Sequence, residues 1–245
     1  MTAPPPREDA DVDASSDEYA RRFSGAVGHW FLDTQTRLTL DALAGLEPGA
    51  TVLDVGGGHA QTVPPLVEAG YRVTVAGSHP SCGRRLEPWT TAGRCRFAVA
   101  DFHRLPYRDR AFDAVISYRM LAHSIQWTRL IDELCRVARD RVIVDYPSRR
   151  SVNAVSYGLF EMKRSIEGAL TRPFALYHPR DIDAAFASAG FLVGAQTPQF
   201  FLPMVLHRLT RSAPLGRLLE WPARRLGLTQ RLGSPVIVRA DRRQA

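Results

Sequence analysis

Three consecutive glycines, Gly56-Gly57-Gly58, follow the apolar run Val52-Leu53-Asp54-Val55 and precede His59 and Ala60. Such a run strips a turn of side chains, so a ligand can lie on its backbone. A helix opening just beyond the turn adds free N–H groups and the positive end of its dipole. That chemistry holds a nucleotide-like cofactor at the carboxyl edge of a parallel sheet. The spacing then selects among cofactors. A dinucleotide site asks for G-x-G-x-x-G, but here Gly56 and Gly58 are followed by Gln61. The third glycine is missing, which disfavours NAD. Asp54, two residues ahead of the first glycine, suits a ligand with a cationic amino group.

Positioning such a loop requires strands alternating with helices, and the chain reads that way. Short apolar runs at 51–55, 72–76, 96–100, 114–117 and 141–145 predict five strands. Helices are predicted over 61–69 and 125–138, the latter with Ile125, Leu130, Ile131, Leu134 and Val137 on one face. Strands of about five residues linked by helical crossovers imply a parallel sheet buried on both faces. Beyond Pro147 a helix is expected over 152–170 and another over 179–189, then strands at 191–196 and 235–240. Two short helices split by Pro214 are expected in 203–232. Apolar positions from Phe23 to Leu43 predict one or two helices broken near Gly25 and Gly28.

Composition bounds the function. The chain has 245 residues, 45% hydrophobic and 23% charged, with a formal net charge of +7. That is a globular composition, long enough for one large domain. Apolar stretches such as Phe200–Leu206 are too short to cross a bilayer, and MTAPPPREDA has no apolar core of a secretory leader. Cys82, Cys95 and Cys135 form an odd, scattered set, which argues against a disulfide framework or structural zinc and fits a cytoplasmic location. Charge is uneven: residues 1–18 carry a net −5 and read as a disordered acidic tail, while 204–245 carry +7.

Several segments together resemble the class I S-adenosylmethionine-dependent methyltransferases, most closely the type 11 group of the quinone-biosynthesis kind. The glycine loop is similar to the family's acidic residue followed by G-x-G-x-G. VADFHRLPYRDRAFDAVISYRMLAH (Val99–His123) resembles the family run of strand three ending in Asp, "LP…FD", strand four and an "xLxH" segment. LIDELCRVAR (Leu130–Arg139) resembles the following "E-x-x-R-V-L" helix, HPRDIDAAFASAGF (His178–Phe191) the helix leading to strand six, and PVIVRA (Pro235–Ala240) the seventh strand. The resemblance implies an α/β fold with a seven-stranded, mostly parallel, doubly wound Rossmann-like sheet and helical N- and C-terminal caps. It divides residues 19–245 into a cofactor-binding core at about 48–147 and substrate caps at about 19–46, 150–178 and 203–232.

Carried onto this sequence, the resemblance implies S-adenosylmethionine as cofactor. Gly56, Gly57 and Gly58 would pass beneath its amino acid and ribose, and Asp54 would organise its ammonium. Asp101 would bond the adenine amine, with Phe102 packing beside it. Two positions depart from the pattern. Ala60 stands for the third glycine, and Gly77, followed by Ser78, stands where the family places an acid on the ribose hydroxyls. Ser78 is expected to supply a weaker hydrogen bond in its place.

Methyl transfer from a sulfonium is an in-line displacement, which requires a nucleophile held near the methyl carbon, exclusion of water and, for some acceptors, a base. No metal is implied. His123, after strand four, is the candidate base or substrate orienter, with Tyr118 and Tyr146 as further candidates or pocket walls. His103 and His178 read as turn and cap residues, and His29 and Trp30 as packing. In 203–232, Leu215, Leu218, Leu219 and Leu226 share a helical face with arginines elsewhere. That face predicts a helix packed on the domain, or a basic amphipathic element that meets a membrane or gathers a lipophilic acceptor. A small-molecule acceptor is therefore expected. A nucleic-acid methyltransferase is the weaker reading, because Ser117-Tyr118-Arg119-Met120 lacks the N/D-P-P-Y/F motif and no aromatics interleave with the arginines. Gly77 motivates a third reading, a non-catalytic binding module.

Overall fold

The computed structural model describes residues 9–154 and 174–243. A seven-stranded sheet organises them: β1 (Thr51–Val55), β2 (Arg72–Gly77), β3 (Cys95–Val99), β4 (Phe112–Ser117), β5 (Ala138–Tyr146), β6 (Phe191–Phe200) and β7 (Ser234–Arg242). Their order across the sheet is β3-β2-β1-β4-β5-β7-β6, with β7 antiparallel to both of its neighbours. This is the doubly wound Rossmann-like architecture that the family resemblance implies. The order reverses at β1, which pairs in parallel with β2 on one side and β4 on the other. The carboxyl end of β1 is therefore the switch point where such sheets bind ligands.

Alternation along the strands divides the core in two. Leu53, Val55, Val115 and Val144 face one helical layer together with Leu130, Leu134 and Phe186. Val52, Val75, Ile116 and Ile143 face the other with Leu43 and Leu66. The helices are α1 (Ala10–Ala14), α2 (Asp17–Arg21), α3 (Gly25–Leu43), α4 (Val63–Glu68), α5 (Glu87–Thr91), α6 (Trp127–Val137), α7 (Pro179–Ser188), α8 (Met204–Thr210), α9 (Ala213–Arg225) and α10 (Leu228–Leu232). In α6, Glu133 accepts the Leu105 N–H at 2.6 Å while Arg136 donates to the Leu105 and Tyr107 carbonyls. The E-x-x-R spacing thus pins the loop between β3 and β4.

Five expectations are corrected. Residues 9–18 are not a disordered tail: they form α1 and the start of α2, with Asp11 and Ser15 buried and the Ser16 hydroxyl capping α2 through the Tyr19 N–H. Residues 1–8 lie outside the described residues. Gly28 does not break a helix. It sits inside α3 because a side chain there would collide with the Phe23 backbone. Ile125 lies before α6 and is exposed, not on its buried face. Residues 203–232 make three helices, and Pro214 opens α9 rather than interrupting it, since a first turn has no intrahelical use for the missing N–H. Finally, Leu215, Leu218, Leu219 and Leu226 are exposed, because Ala213, Gly216, Glu220 and Ala223 form the inward face of α9. Most of the helix expected over 152–170 falls outside the described residues.

Candidate functional site

At the end of β1, Gly56 adopts a left-handed φ of +80°, and Gly57–His59 make one tight turn before Ala60, also left-handed at +63°. The glycines are required by what crowds them. A side chain on Gly57 would run into the Asp54 carboxylate, and one on Gly56 would come within 2.8 Å of the Met120 sulfur. Asp54 lies buried beneath the loop and accepts a hydrogen bond from the Thr62 hydroxyl. Burial pushes its carboxyl up to about 6, against the opposing pull of Thr62 and Arg119.

The neighbouring strand ends complete the wall. The Ser117 hydroxyl donates to the Val55 carbonyl at 3.0 Å, tying β4 to β1. Tyr118 is buried, its hydroxyl 2.6 Å from Thr39 Oγ1, and burial drives its acidity far from the neutral range. Arg119 turns the chain with φ +63°. Its guanidinium reaches Gln61 at 3.2 Å and covers the rings of Tyr19 and Phe23. Asp145, at the end of β5, takes the Gln35 amide on one oxygen and the Arg119 N–H on the other, and burial raises it to about 6. His59 packs edge-on against Tyr19 and Phe23. Neither of its ring nitrogens has a hydrogen-bond partner, and burial, aided by Arg119 and Arg85, lowers it to about 4. Asp54, Gly56, Gly57, His59, Gln61, Thr62, Tyr118 and Arg119 enclose a cavity of about 10 Å³.

The ends of β2 and β3 explain the missing acid. A side chain at Gly77 would sit 2.7 Å from Cys82 Cβ and 2.9 Å from the Phe97 ring, so the fold leaves no room for one. Ser78 is buried and turned onto Asp11 of α1, which accepts from its N–H at 2.7 Å and from its hydroxyl. Asp101 is half exposed and accepts the His103 N–H at 2.9 Å as a turn former, while Phe102 is buried in the core.

Of the residues singled out for chemistry, the structure brings Asp54, Gly56, Gly57 and Tyr118 together around the cavity. His123 and Tyr146 lie apart from it. His123 ends a short turn, Leu121–His123, with its ring 5.5 Å from that of Phe174. Tyr146 is wholly buried and donates to the Gln196 side chain at 2.7 Å. Sequence reasoning missed His59, Arg119 and Asp145. His59 is signalled by following the glycines directly, and Asp145 by closing an apolar strand. Nothing local signals Asp11.

Residues 53–144 match a family model described as a methyltransferase domain. Solved structures share the fold across nearly the whole chain. One is a chain of the Haloferax volcanii complex between the Trm112 methyltransferase activator and its candidate methyltransferase: TM-score 0.65, 16% identity, covering 97% of this chain and 99% of that one. Another is the Synechocystis PCC 6803 magnesium protoporphyrin IX methyltransferase with bound S-adenosylhomocysteine: TM-score 0.62, 17% identity, 94% and 96% covered. A third is a geranyl diphosphate methyltransferase in complex with its diphosphate and sinefungin: TM-score 0.60, 16% identity, 86% and 77% covered.

Sheet order, switch-point loop and family match define a class I methyltransferase that uses S-adenosylmethionine. Within that class, residues 53–144 are similar to the type 11 methyltransferase domain. The residues present suit the cofactor. Its carboxylate would find Arg119 and the unpartnered nitrogens of His59, its ammonium the buried Asp54 and Asp145, and its hydroxyls the Ser78 N–H and Oγ.

Proposed function

We propose that the protein methylates a small lipophilic acceptor that it meets at an anionic membrane surface. The observation that carries this reading is the outer face of α8 and α9. Of the twelve large apolar side chains exposed among the described residues, eight fall between Val205 and Leu226, including Leu209 at 73% and Trp221 at 61%. Arg208, Arg211, Arg217, Arg224 and Arg225 lie in the same stretch, and its one acid, Glu220, is buried against His207. Apolar side chains with an interfacial tryptophan inside a basic rim have the make-up of a surface-lying amphipathic element. Two of the structural neighbours, named for a magnesium porphyrin and an isoprenoid diphosphate, act on acceptors with large apolar parts.

When bound, the cofactor supplies an electrophilic methyl on a sulfonium. The chain's part is to hold and orient. Gly56–Gly58 give close backbone approach, Asp54 and Arg119 supply opposite charges, and the aromatic face of Tyr19 and Phe23 excludes water. Burial raises the Tyr118 and Tyr146 hydroxyls out of reach of neutral proton transfer. His123 is the group we assign to orienting or deprotonating the acceptor.

Co-sedimentation with phosphatidylcholine vesicles, with and without anionic lipid, tests the surface. Binding should require the anionic lipid and be lost in Leu218→Asp/Trp221→Asp. Equal recovery in the supernatant with both vesicle types would reject it.

A further inference from the structure

Asp11 is fully buried, although it belongs to an acidic, proline-led stretch of the chain. A carboxylate leaves water only where donors replace it. Here they are the Ser78 N–H at 2.7 Å and the Ser78 hydroxyl, with the Cys82 thiol also facing it. One turn later Ser15 is buried as well, its hydroxyl donating to the Asp11 carbonyl at 2.6 Å.

These two residues lie over the glycine loop. A side chain on Gly58 would strike the Ser15 hydroxyl and come within 2.7 Å of the Cys82 carbonyl, and one on Gly56 would come to 3.7 Å from Asp11 Cβ. The backbone bared by Gly56 and Gly58 is thus covered by α1. From these contacts we infer that α1 is a built-in competitor: Asp11 and Ser15 fill the cofactor's place on Gly56, Gly58 and Ser78, and α1 must leave before S-adenosylmethionine can bind.

The hold is weak enough to release. Five residues are too few for a helix stable by itself. The adjoining tie, Asp17 to Arg85 at 2.7 Å, is largely exposed and screened by salt. The segment therefore acts as a gate on cofactor occupancy, and the apparent affinity is the intrinsic one reduced by the fraction of molecules with α1 released. This inference rests on the cofactor assigned above.

The test titrates S-adenosylhomocysteine calorimetrically into the full chain, into Asp11→Ala, which loses the anchor, and into Ser15→Glu, which is too large to stand between Gly58 and Cys82. Both variants should bind about fivefold or more tightly than the parent. Hydrogen exchange on the unaltered chain should show the amides of residues 11–16 losing protection when S-adenosylhomocysteine is added, a readout independent of whether either variant folds. Unchanged affinity with unchanged protection would overturn the proposal. Weaker binding by Asp11→Ala would also overturn it, by making Asp11 a cofactor ligand. Absence of binding by all three proteins would remove the cofactor reading and the gate with it.

Discussion

The Asp145 carboxylate accepts the Arg119 backbone N–H at 2.5 Å, bridging the carboxyl ends of β5 and β4. Arg119 is one of four non-glycine residues with positive φ among the described residues, and this bond holds its turn in place. Removing the acceptor strands a partly buried donor. Asp145→Ala should lower unfolding stability by about 1–3 kcal/mol in urea titrations, with Asp145→Asn recovering part of the loss.

The same cluster sets a pH dependence. Asp54 and Asp145 are raised from 3.8 to about 6, so between those values the folded chain keeps protons that the unfolded chain has released. Their contribution to stability is complete below about pH 4 and is lost as pH rises through 6. His59 runs the other way: lowered from 6.5 to about 4, it contributes stability that grows across that window. Asp54→Asn should therefore gain on the parent by up to about 3 kcal/mol between pH 4 and 8. Parallel stability curves for the two proteins would contradict this.

Restoring the acid that relatives carry at the end of β2 should not help. Gly77→Asp places Cβ against Cys82 and the Phe97 ring, an overpacking that costs about 1–3 kcal/mol. A lower Tm without tighter S-adenosylhomocysteine binding is the expected pair of results. A tighter complex at unchanged Tm would show that the site accommodates the side chain.

In the cap, Glu220 accepts the Phe201 and Leu202 N–H groups at 3.0 and 2.9 Å and lies 2.8 Å from His207 Nε2. Burial alone would raise its carboxyl, but these partners outweigh burial and hold it below its ordinary value. Its contribution is thus present at neutral pH and lost on acidification. Glu220→Ala should cost about 3 kcal/mol or more, because a buried donor set loses its acceptor. Hydrogen exchange should quicken at residues 201–210 before it changes in β1 or β4.

The sheet was legible because its strands are apolar runs punctuated by glycine and proline, and the glycine loop because its spacing is itself the chemistry. Boundaries moved where tertiary contacts extend a strand, as when β5 begins at Ala138 and β6 runs on to Phe200. The candidate site was half legible. Asp54 and the glycines announce themselves, but Arg119 and Asp145 matter through a bond across 26 positions, and Asp11 through one across 67. Local pattern carries no trace of such pairings. The acidic composition of residues 1–18 reads as solvated only until Ser78 is seen to supply donors. The leucines of α9 misled in the opposite sense, because the small residues between them face inward.

The place of β7 has a consequence for how the chain is made. Residues 234–242 lie between β5 and β6, pairing with both, although they follow each of them in the chain. Synthesis proceeds from the other end, so during translation β5 has its outer edge open beside Ile143 and Val144 until those residues leave the ribosome. An unpaired apolar strand edge is a template for foreign strands. The nascent chain thus passes through a sticky stage that ends only with its seventh strand, and truncation before Ser234 would make that stage permanent.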